Sequence, residues 1–411
     1  MKKIYIVFIS LIAVIVSTGV YIKYDENISV DEIIQSFITP SVFSNDLRVE
    51  TYAEDLVFPT TMSFVGEDLL VLEKDGNVKL IKDGNVHSES NLSLDVNSFG
   101  ERGLLGITTF KNHVYLYFTQ EKSNNEIHNY IYQYQWNGSF LVNPQLISIL
   151  PGENAIHNGG AMTTDEKGNV YAVIGDQANS YSPITKYGIL QNILNGTADD
   201  RGVIIKVGLN EPLKPSETPN PFDHYYAIGI RNSFGLAIDP FTGNLWDTEN
   251  GWTDFDEINL VLPKFNSGWI VSMGPATDEQ KSKMLHKIEF KYNDPKFSWE
   301  ETVTPTGITF VNSEKFEKFH NVMFVGDCVF GNLYKFTLNE NRTEFVFKDP
   351  NLIDLVVNYN PKSKNPKNLE SMEEILFGQN FGCITDLEFG PDGNLYVISI
   401  YDGKIYKISP R

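Results

Sequence analysis

At 411 residues and 41% hydrophobic content, the chain is long enough for one large domain or two ordinary ones, and its composition excludes wholesale disorder. A formal net charge of −20 repels nucleic acid and anionic headgroups, so neither is expected as a partner of the folded part. Two cysteines, Cys328 and Cys383, exclude a dense disulfide framework and a zinc site of cysteine alone, and leave room for one disulfide in an oxidising compartment.

The chain opens with Met1-Lys2-Lys3 and an uncharged run, YIVFISLIAVIVSTGVYI, over residues 4–21. That run is long enough to cross a bilayer as a helix. Lysines before it and Asp25 and Glu26 after it place the N-terminus inside. Residues 1–22 are therefore expected to form a single-pass anchor in the cell membrane, the chain's sole membrane contact, with the body outside. A cleaved signal peptide is the alternative and makes the body a secreted protein. N-x-S/T triplets at Asn27, Asn91, Asn137, Asn195 and Asn341 agree with an exterior location, although such triplets also arise by chance. Residues 23–46 read as a stalk, in which ISVDEIIQSFI suits a short helix capped by Ser29 and ended by Pro40.

From residue 47 the texture changes to short β-rich runs punctuated by Gly, Asn and Asp. A strand, a turn and a second strand recur over 68–81, 113–136, 169–207, 244–261, 322–336 and 394–408. Tight turns such as DEKGN, FTGN and PDGN precede several of them. This repeat predicts an all-β chain whose residues 47–411 fold as a six-bladed β-propeller. A TIM barrel or doubly wound sheet would require long helical patterns between strands, and none is found.

In a propeller, polar groups next to the inner strand ends are the natural site candidates. FGERGLLGI carries Glu101 and Arg102, which read either as a surface ion pair or as site residues. AIHNGGAM and VIGDQAN place His157 at the end of one strand and Asp176 at the end of its hairpin partner. Such a pair serves a general base or a plain structural hydrogen bond. YAIGIRNSFGLAIDP sets Arg231 and Asn232 between apolar runs, which aims them at a polar cavity. WDTENGWTDFDEINLV is rich in oxygen ligands (Asp247, Glu249, Asn250, Asp254, Asp256, Glu257) and reads as a hard-cation site or a solvated acidic loop.

These segments, together with NSGW, SWEETVTPTG and PDGNLYV, occur in an order that resembles the soluble quinoprotein glucose/sorbosone dehydrogenases over about residues 48–408. That family consists of six-bladed propellers using pyrroloquinoline quinone (PQQ) and Ca2+. The resemblance implies oxidation of the anomeric hydroxyl of an aldose sugar, with hydride passing to PQQ and on to an electron acceptor. His157 matches the catalytic base, Asp176 its orienting carboxylate, and Arg231 with Asn232 the pair at the quinone carbonyl. Glu101 and Gln177 fall near cofactor and sugar, Trp299 resembles the aromatic beside the sugar, and Gly251 and Trp252 match the residues whose carbonyls hold calcium.

The sequence departs from the family where a lysine and two arginines clamp the PQQ carboxylates. Val329, Cys383 and Thr385 occupy those positions, removing contacts worth on the order of 1.5–3 kcal/mol each. In the family's geometry these positions converge, so the resemblance implies a Cys328–Cys383 disulfide there. It also keeps open a propeller that has lost PQQ and serves as a glycan- or protein-binding module, and, by fold analogy alone, a calcium-dependent lactonase.

Overall fold

The computed structural model describes residues 39–122, 124–177, 193–194, 197–208, 221–284, 289–353, 356–357 and 372–411. The expected anchor and the stalk helix lie outside the described residues. Among those described, no helix is long and apolar enough to cross a membrane.

All six strand pairs read from the sequence form antiparallel ladders. They are Asp68–Glu73 with Asn77–Lys82, His113–Glu121 with Ile127–Trp136, and Val170–Ile174 with Val203–Val207. The others are Leu245–Glu249 with Asp254–Val261, Val322–Asp327 with Leu333–Thr337, and Leu395–Ser399 with Lys404–Pro410. On one side of each pair lies a further antiparallel strand that the repeat did not reveal: Pro59–Val65, Leu104–Phe110, Met162–Thr164, Ser233–Ile238, Pro305–Phe310 and Ile384–Phe389. Each of these strands packs against the next in this order, and the last packs against the first. The result is the all-β, closed arrangement of a propeller.

The inner strands escaped the repeat because their composition is set by the channel rather than by a core. PTTMSFV, LLGITTF and PTGITF are rich in Thr, Ser and Gly. At Gly106 and Gly235 the reason is steric: a Cβ would collide with the carbonyl oxygens of Gly160 and Thr306 on the adjoining segments. By contrast, Val170–Ile174 is buried at every position, as a strand covered on both faces should be.

Closure uses the two ends of the described chain. Leu47–Ala53 pairs with Lys404–Pro410, so the strand that opens the propeller completes the sheet formed last. Ser41–Val42, expected within the stalk, instead pairs with Leu376–Gln379. Large side chains fill the gaps between sheets, with Trp246, Phe297, Trp299, Tyr334 and Phe336 in one cluster. Burying each contributes roughly 1.5–3 kcal/mol or more.

Candidate active site

One topological fact gathers the site. The start of an inner strand and the end of its antiparallel neighbour lie at the same edge of a sheet. Glu101, His157, Arg231 and Cys383 precede inner strands, whereas Lys74, Asp176, Gly251 and Cys328 follow second strands. All eight therefore meet on one face.

His157 is buried, and its Nδ1 lies 2.5 Å from Asp176 Oδ1. The residue sits in the loop before Met162–Thr164 rather than at a strand end, with φ of 56°. This left-handed backbone is held by the His157 amide, which donates to Glu101 Oε2 at 2.6 Å. Asp176 is fixed in turn: Trp269 Nε1 donates to its Oδ2 at 2.7 Å, and its own amide donates to the Arg231 carbonyl at 2.8 Å. A carboxylate at Nδ1 keeps the proton there and leaves Nε2 as the basic nitrogen. Trp269 had no role assigned from sequence, and its place in NSGW was the available signal.

Arg231 Nη1 donates to the carbonyls of Asn250 and Gly251 at 2.7 and 2.8 Å, and the guanidinium lies over the Trp269 ring. Burial lowers its pKa, opposed by the carboxylates of Asp176, Glu249, Asp256 and Glu101. Arg231 Nε and the Oδ1 of buried Asn232 have no hydrogen-bond partner among the described residues. Both atoms are buried, and neither residue is among those that line the cavity described below.

Several expectations change. Glu101 and Arg102 are not a surface pair: Arg102 is buried and donates from Nε to the Gly152 carbonyl at 3.0 Å. Gln177 is buried and spends its amide on Pro151 O and Asn158 Oδ1 at 2.9 and 3.1 Å, so it braces the loop. Trp299 is fully buried against Phe297, Tyr334 and Phe336, which corrects its placement beside a sugar. Trp252 is exposed, while the Gly251 carbonyl already accepts from Arg231.

The acidic segment is not a solvated loop. Asp247, Glu249, Asp256 and Glu257 are buried, because they belong to paired strands at a junction between sheets. Burial pushes Glu249 up to about 7, opposed chiefly by the Arg231 amide and Ser267. It pushes Asp256 up to about 6 against three backbone amides. Among the described residues no group of three or more His, Cys, Asp or Glu is placed to hold a metal ion.

Against Glu101, the residue that accepts from the His157 amide, opens a cavity of about 280 Å³ with Lys74, Met162, Leu236, Ile308 and Tyr401 also on its wall. Cys328 and Cys383 form the disulfide that the resemblance implied, and it lines the same wall with Thr385 and Asp386. Val329 points outward, half exposed. Lys74 is the cation among the lining residues; its Nζ donates to Ser98 O at 2.5 Å, and burial lowers its pKa. The wall thus sets one engaged ammonium against two carboxylates. It does not fit a tricarboxylate such as PQQ, which needs several cationic donors.

The Glucose / Sorbosone dehydrogenase family model matches residues 56–407. The aldose sugar dehydrogenase YliI of Escherichia coli is 26% identical over 275 residues, 62% of this chain and 60% of the relative. Quinoprotein glucose dehydrogenase B of Acinetobacter calcoaceticus is 30% identical over 193 residues, 41% of this chain and 40% of the relative. The fold is similar to the apo crystal structure of the soluble aldose sugar dehydrogenase from Escherichia coli, with a TM-score of 0.67 and 20% identity over 89% of this chain and 100% of that one.

Proposed function

The chain belongs to the glucose/sorbosone dehydrogenase family, and from that premise we propose that it is an extracytoplasmic six-bladed propeller oxidising the anomeric hydroxyl of an aldose. The ring of inner strands supports the blade count. A disulfide supports an oxidising exterior, consistent with residues 47–411 standing outside a membrane anchor at 1–22.

The observation that carries the reading is the Trp269–Asp176–His157 relay. His157 Nε2 takes the anomeric proton, Asp176 stabilises the imidazolium, and Glu101 steadies the loop that presents it. Arg231 and Asn232 face charge that develops on an oxygen as hydride leaves C1. The family's hydride acceptor is PQQ with calcium, a group that this wall does not fit.

The disulfide at the missing clamp favours a second reading, a glycan-binding propeller without redox turnover. Purified protein assayed with an artificial dye and a panel of aldoses, with and without PQQ and calcium, separates the two. Aldose-dependent dye reduction that disappears in His157→Ala is expected. Full activity in that variant would remove His157 as the base, and sugar binding without turnover would establish the second reading.

A further inference from the structure

The missing clamp has a counterpart at the cavity mouth. Phe58, Phe99, Ile156, Trp252, Val329 and Tyr401 all expose large apolar side chains, Phe99 and Tyr401 to 74%. By the strand-end rule above they lie on the face that bears the site, each in the loop of a different sheet. Each also adjoins the site. Tyr401 lines the cavity, Phe99 precedes lining Gly100, and Val329 follows Cys328. The Phe58 carbonyl accepts from the Lys74 amide at 3.0 Å, while Ile156 and Trp252 flank His157 and Gly251. An exposed apolar ring on a chain of charge −20 marks a binding surface.

We propose that the cavity takes a neutral, lipophilic quinone in place of the family's anionic one, its ring beside Lys74 and the disulfide and its apolar tail on this rim. The inference rests on the dehydrogenase reading for its chemistry and on the wall and rim for its ligand. A disulfide, methionine, leucine and isoleucine suit a planar apolar ring. Glu101 and Asp386 on the same wall repel a trianion but not a neutral molecule. Lys74 on the wall gives one of its three ammonium N–H groups to Ser98 O and can turn another to a quinone oxygen. The chemistry balances: the anomeric O–H proton passes to His157 Nε2, and C1 gives its hydride to the quinone. The quinone oxygen takes that negative charge beside Lys74 and then the proton from His157. The aldose becomes a lactone and the quinone a quinol.

The test uses the full-length chain in neutral detergent with three probes: menadione, a naphthoquinone carrying an isoprenoid tail, and PQQ with calcium. Binding is read by tryptophan quenching and calorimetry, and quinol formation by ultraviolet absorbance without oxygen. Both naphthoquinones are expected to bind at about micromolar concentration, the tailed one and menadione each about tenfold or more tighter than PQQ. Phe58→Ser with Phe99→Ser should weaken the tailed quinone more than menadione, a ratio that a general folding defect would not change. Tighter binding of PQQ, or no naphthoquinone binding, overturns the proposal, and aldose oxidation with dye would then leave the dehydrogenase reading standing. Naphthoquinone binding without aldose oxidation by any acceptor supports the quinone site and sinks the dehydrogenase reading instead.

Discussion

Trp269 and Asp176, 93 residues apart in sequence, meet through an indole N–H to carboxylate bond of 2.7 Å. The bond holds the carboxylate oxygen that does not face His157, so rotation of Asp176 away from the imidazole would break two contacts at once. Trp269 is thus a positioning residue. Trp269→Phe keeps an aromatic ring, though a smaller one, and removes the donor, a loss of about 1.5–3 kcal/mol for a bond to a charged group. Steady-state kinetics should show kcat reduced by roughly 10- to 100-fold with KM held; an unchanged kcat would show that the bond is merely structural.

Asp176→Asn tests the next link. The amide still packs in place but no longer selects the Nδ1–H tautomer. Turnover should fall on the order of 100- to 10,000-fold with little change in thermal stability. With the amide oxygen held by Trp269, the NH2 faces Nδ1, so nitrogen NMR of labelled His157 should show the proton moved to Nε2, and a retained Nδ1–H tautomer would contradict the assignment.

Glu249 gives a pH dependence. Burial holds its carboxyl at about 7 in the folded chain against an ordinary 4.5. Between those values the unfolded chain has released the proton and the folded chain keeps it, so rising pH favours unfolding. Each unit of that difference is worth about 1.4 kcal/mol. In calorimetry, Glu249→Gln should gain Tm relative to wild type as pH rises through this window. A constant difference across it would mean that Glu249 ionises freely in the fold.

The disulfide joins positions 55 residues apart. Replacing both cysteines by serine should cost about 2–4 kcal/mol, chiefly by freeing the unfolded chain. Equal denaturation midpoints for the double variant and wild type would show that the bridge adds no stability.

Trp299→Phe distinguishes core from sugar platform. Its indole N–H is buried without a partner among the described residues, so the loss of that group should be mild. The aldose KM should not move, whereas a rise of about tenfold or more would return Trp299 to the substrate.

Legibility followed distance along the chain. The second and third strands of each sheet were readable because alternation and a tight turn are local signals. The inner strands were not, since their Thr, Ser and Gly content answers to a channel made by other sheets. Arg102 shows the same limit: beside Glu101 it looks like half of an ion pair, yet its partner is a carbonyl 50 residues away.

By itself the sequence determined the strand-pair repeat, the acidic surface and the placing of His157 and Asp176 close enough to meet. Its resemblance to a family implied the disulfide as well. Only the tertiary structure decided that Trp269 locks Asp176, that four carboxylates of one segment are buried, and that Trp299 belongs to the core. It also decided that six separate loops expose apolar side chains on the face that bears the site. Burial and cross-sheet hydrogen bonds depend on which neighbours the closed ring brings up, and a sequence pattern records periodicity, not neighbours.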